Sequence, residues 1–189
     1  MLDLVNGVPV HPLVVHAVVV LLPLGVLGAL AIALRPAWRE RYGRLVVGVL
    51  LLATLAIPVA TQSGEALAAR VGYPGQHAQL GEQLLWFALP LLVVTALLVV
   101  LSRRPAGERD AAGGAGTDPG ERAAESGAVA VLTRPRTAVA ARGRTLVRVL
   151  AALTVVLALA NAVQVYRVGD SGARAAWEGR VAGTTPAGG

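Results

Sequence analysis

An all-α fold, a transmembrane bundle of four helices with both termini extracytoplasmic, is what this sequence predicts. Three observations carry that expectation. Hydrophobic residues make up 55% of the 189, and charged residues only 15%, where a soluble domain usually carries about 25% charged. The apolar residues are gathered into four long runs, at 13–34, 45–61, 84–101 and 146–165, each near the roughly 20 residues that a helix needs to cross a bilayer. The charges between the runs alternate in sign, as the positive-inside rule requires of a chain that crosses repeatedly.

The four runs are taken as spans of one membrane domain over 1–175. The connection after span one holds Arg35, Arg39, Arg41 and Arg44 against Glu40. The connection after span two holds Arg70 against Glu65 and Glu82. The connection after span three is strongly basic again, with Arg103, Arg104, Arg142, Arg144 and Arg148 flanking the spans. Basic connections stay in the cytoplasm, so the first and third lie inside, and an even number of spans returns the C-terminus to the outside. The cell membrane is the expected location, with multiple passes and the lipid bilayer as the first partner.

The third connection, 103–144, is rich in Gly, Ala, Arg and acids and has no sustained apolar period. It reads as a flexible cytoplasmic loop, and 176–189 as a disordered tail. The first ten residues contain an acid, Asp3, and no basic residue, unlike the positive start of a signal peptide. Span one is therefore expected to remain in the mature chain.

Pro23, Pro58 and Pro90 fall inside spans, where each removes a helix hydrogen bond. Gly25 with Ala29, and Ala158 with Ala162, are small residues four apart of the kind that lets helices approach closely.

Several functions are excluded or disfavoured. There is no cysteine, hence no disulfide and no thiolate metal site. All 17 basic residues are arginine, and they flank spans, so the net charge of +6 reads as helix orientation rather than as a nucleic-acid surface. No charged residue sits in the middle of a span, which argues against an ion-coupled carrier. No catalytic constellation is legible, and the chain is not expected to be a stand-alone enzyme.

Polar residues collect near the outer ends of the spans. They include all three histidines, His11, His16 and His77, together with Glu65, Asn161 and Gln164. At a rise of about 1.5 Å per residue, His11 stands about 36 Å above Arg35, His77 about 37 Å above Ser102, and His16 about 28 Å above Arg35. His11 and His77 are therefore level, and His16 is deeper. His16 is the residue expected to carry function, because a polar group at that depth needs a partner. Asn161 or Gln164 would serve as hydrogen-bond partners, and a metal or haem iron as a functional one.

The segment Gly7-Val-Pro-Val-His-Pro-Leu-Val-Val-His16, with His77-Ala-Gln-Leu before span three and Val165-Tyr-Arg-Val-Gly169 after span four, resembles the DUF2231 family of bacterial membrane proteins. The resemblance extends over about 5–175. It implies a four-helix integral membrane protein of no settled activity, similar in layout to two-haem b-type cytochromes. The family often carries a further histidine shortly before the Val-Tyr-Arg motif, where this chain has Asn161-Ala-Val-Gln.

Two functions follow. The first expectation is a non-catalytic scaffold, partner subunit or envelope sensor. The alternative is a redox subunit that binds haem b or a metal near the outer face through His11, His16 and His77, supported by Asn161, Gln164 and Glu65. Its partners would be a membrane redox protein or further copies of the chain. The identity of any metal is left open by the residues.

Overall fold

The computed structural model of the chain describes residues 4–5, 8–72, 75–103 and 134–177. A two-stranded antiparallel ribbon, β1 (Leu4–Val5) and β2 (Val8–Pro9), opens the chain. The intervening dipeptide in the sequence, Asn6-Gly7, is the preferred composition for a two-residue hairpin link. Four helices follow: α1 (Val10–Leu34), α2 (Pro36–Val71), α3 (Gln76–Leu101) and α4 (Arg134–Trp177). All four are long and apolar enough to cross a membrane.

The helices outrun the apolar runs that announce them. α2 has 36 residues, or about 54 Å of helix, against a hydrocarbon core of about 30 Å. Backbone hydrogen bonding continues into the polar zones, where water tolerates charged side chains. Residues 36–44, expected as a connection, are thus the first turns of α2. The joint between α1 and α2 is one residue, Arg35, in an extended conformation. Pro36 explains this, since proline disfavours a helical residue before it and suits the first helical position itself. Likewise residues 134–144, expected within the loop, are the first turns of α4. The remainder of that connection, and the tail beyond Trp177, lie outside the described residues.

Consecutive helices run antiparallel and pack in a ring. α1 touches α2 and α4, α3 touches α2 and α4, and α1 and α3 face each other across the diagonal. Gly72 and Gly75 make the turn from α2 to α3, with φ of 100° and 56°, values that L side chains rarely adopt.

Glycine lets the first pair approach closely. A Cβ on Gly25 would fall 2.6 Å from Leu50, and one on Gly28 2.9 Å from Val46. Ala29 and Ala158 are fully buried, whereas Ala162 is exposed. The core runs from Val18, Leu22, Ile57 and Leu84 at one end, through Val26, Leu50 and Leu91, to Ala33, Leu98 and Leu150 at the other.

Arg39 closes that second end. Its side chain is buried. Nε donates to Ile32 O at 2.9 Å, Nη2 to Ala33 O at 3.0 Å and Nη1 to Ser102 Oγ at 3.0 Å. The carbonyls at a helix C-terminus have no partner within their own helix, and one guanidinium supplies them here. Around it, exposed Trp38 and Tyr42 stand among Arg35 and Arg41, the mixture of aromatic and basic residues typical of a membrane interface.

Candidate functional site

At the opposite end the four helices part around a cavity of about 600 Å³. Its walls are mostly Val, Leu, Ile, Ala and Gly, and it reaches inward to Leu22, Pro23, Ile57 and Leu84. Two histidines line it, His11 from α1 and His77 from α3. The diagonal placement of α1 and α3 brings these two, far apart in sequence, to one space.

Each ring is held the same way. His11 Nδ1 lies 3.0 Å from Ala60 O and 3.3 Å from Ser63 Oγ. His77 Nδ1 lies 3.2 Å from Val168 O and 3.4 Å from Ser171 Oγ. A carbonyl oxygen only accepts, so Nδ1 carries the proton in both rings. In the neutral ring Nε2 is then the nitrogen with a lone pair to offer. This Nδ1–H···O=C arrangement is the usual support of a metal-ligating histidine.

His16 is elsewhere. It is exposed, and its Nδ1 donates to Pro12 O, one turn back on its own helix, at 2.6 Å. It does not line the cavity. Five residues of helix turn it about 140° away from His11, so the two rings do not converge.

Asn161 and Gln164 are buried, but they serve α3 rather than His16. Asn161 Nδ2 donates to Phe87 O at 2.8 Å and Leu157 O at 2.9 Å, and Gln164 Nε2 to Leu80 O at 3.2 Å. The bonds to Phe87 and Leu80 cross to α3, and interhelical bonds of this type tie membrane helices together, whereas the bond to Leu157 stays within α4. Glu65 lines the cavity, and so does Glu82; both side chains are exposed.

Sequence reasoning missed the two Ser-Gly steps that seat the histidines, Ser63-Gly64 and Ser171-Gly172. Their signal was present, since both pairs stand at the histidine end of an even-numbered span. Among the described residues no group of three or more His, Cys, Asp or Glu side chains is placed to hold a metal ion.

A family profile described as "Predicted membrane protein (DUF2231)" matches residues 7–133, well over half of the chain. The chain belongs to the DUF2231 family. The matched part takes in α1, α2, α3 and His77, and it ends just before α4. No match was found among curated proteins or among solved structures. DUF2231 membership fits the four apolar helices and assigns no activity, so the cavity itself must supply the functional reading.

Proposed function

We propose that this DUF2231 protein is a redox subunit of the cell membrane that holds haem b between His11 and His77 at the outer face. The observation that carries this reading is the pair of imidazoles lining one apolar cavity from diagonal helices, each with Nδ1 engaged by a carbonyl of the next helix.

The donor set favours haem over a bare ion. A bound metal ion generally takes four or more protein or water ligands, and the described residues offer no cluster of three. A porphyrin would bring four nitrogens of its own, so haem iron would need only one or two side-chain ligands such as histidine. An apolar wall with few polar groups is also the usual lining of a cofactor cavity. Haem bound here would supply one-electron transfer. The chain's residues would hold it: His11 and His77 as ligands to the iron, Ala60 and Val168 carbonyls fixing the rings, and the Val and Leu walls excluding water. Glu65 and Glu82 bring negative charge to the α2–α3 side, so a ligand's anionic groups would lie away from that side.

The difference in height between His16 and His77 counts against a shared iron. With His11 as the partner of His77 that objection falls away. Charge asymmetry across the connections supports placing the cavity end, with both termini, outside.

Absorption spectroscopy of the purified protein, with and without added haemin, tests the reading. A Soret band with sharp reduced α and β bands is expected. His11→Gln and His77→Gln should each abolish it, and His16→Gln should leave it intact. A featureless spectrum after reconstitution would overturn the proposal in favour of the scaffold.

A further inference from the structure

The two histidine seats repeat each other in detail. His11 stands near the start of α1, ahead of Pro23. His77 stands near the start of α3, ahead of Pro90. Each packs on the following helix at a Ser-Gly step. Ser63 Oγ donates to Ala60 O at 3.0 Å, and Ser171 Oγ to Val168 O at 2.9 Å. In each seat the carbonyl three residues before the serine accepts from both the serine and the imidazole.

The glycine of each step is equally specific. A Cβ on Gly64 would lie 2.9 Å from His11 Cε1, and one on Gly172 3.0 Å from His77 Cε1. Gly81 and Gly169 also line the cavity, yet a Cβ on either meets nothing within 4 Å. Ring contact, rather than cavity lining in general, therefore sets Gly64 and Gly172 apart.

We infer that the cavity is a composite of two equivalent half-sites, one from the α1–α2 hairpin and one from α3–α4, with Ser63-Gly64 and Ser171-Gly172 as its positioning residues. Glycine lets the Cε1 edge of the ring close on the neighbouring helix. The carbonyl and the serine oxygen together hold the Nδ1 proton, so the ring's rotation and tautomer are both set. Each half-site contributes one imidazole to the cavity wall. The ligand class they suit is one that accepts two imidazole nitrogens, as the iron of a haem would. The ligand's identity rests on the haem reading; the two seats do not depend on it.

The test uses full-length protein in lipid nanodiscs, labelled with 15N-histidine and free of haem. The His11 and His77 resonances, assigned with His11→Gln and His77→Gln, should report protonated Nδ1 and unprotonated Nε2. Gly64→Ala should shift the His11 signals and spare His77, and Gly172→Ala should do the reverse. Gly81→Ala and Gly169→Ala should move neither. Should an added methyl prevent folding, Ser63→Ala and Ser171→Ala give the same readout with no added bulk.

In haemin titrations Gly64→Ala and Gly172→Ala should each weaken binding by about tenfold or more, as changes behind a ligating histidine do. If Gly64→Ala leaves His11 unmoved, or if Gly81→Ala disturbs both rings as much, the seats are refuted whatever the haem result. If the seats respond as stated and haemin does not bind, only the haem reading falls.

Discussion

Thr54, Thr61 and Thr154 each turn their hydroxyl back on the carbonyl four residues earlier, at 2.7, 2.8 and 2.8 Å. That is the ordinary resort of threonine on a helix with no other partner. Thr95 is fully buried on α3, and its Oγ1 has no hydrogen-bond partner among the described residues. A buried polar group left unsatisfied costs about 1–3 kcal/mol. Thr95→Val should therefore hold or raise stability, by about 1 kcal/mol at most after repacking. A thermal melt in detergent that drops clearly for Thr95→Val would reveal a partner for that hydroxyl.

The histidines mark the boundary of what single residues disclose in a sequence. Counting helical rise was enough to level His11 with His77, because height depends only on position along a helix. Which ring turns into the bundle depends on rotation, and the apolar spans look alike on every side, so depth alone put His16 first where the cavity takes His11. The Ser-Gly seats escaped notice for a related reason: a serine or a glycine at a helix end is unremarkable until the ring it faces is known.

Among elements, the start of α2 departs furthest from expectation. Its four arginines, from Arg35 to Arg44, read as one interchangeable charged stretch, and three of them are exposed. Arg39 instead turns inward and ties the end of α1 to the end of α3. Removing it leaves two helix-terminal carbonyls and Ser102 without their donor. Arg39→Leu should lower stability by about 2 kcal/mol or more, at 1–3 kcal/mol for each buried group left unpaired. Arg39→Lys should recover little of this, since an ammonium lacks the planar fork. Arg44→Leu, at an exposed position, should stay within about 0.5 kcal/mol. Unfolding in graded denaturing detergent compares the three, and equal losses for Arg39→Leu and Arg44→Leu would deny Arg39 its bracing role.

For the molecule as a whole, the four helices were legible because a bilayer demands long apolar runs, whereas the short ribbon β1–β2 ahead of them was not anticipated. The ring order of the helices was not, since it comes from side-chain fit such as that of Gly25 on Leu50 and of Gly28 on Val46. Orientation in the membrane rests on charge counting, and it can be tested cleanly because the chain has no native cysteine. With Gly114→Cys, an impermeant maleimide added to intact cells should not react, whereas Gly189→Cys should be labelled. The opposite pattern would invert the whole topology and put the histidine cavity on the cytoplasmic side.

The one-residue joint at Arg35 also bears on the order of events during synthesis. Ile32 and Ala33 precede Arg39 by only seven and six residues, so two of its three bonds involve chain made almost at once. Ser102, the third partner, is translated 63 residues after Arg39. Two of the three contacts that close the first hairpin thus need no part of α3, and only the third waits for its synthesis.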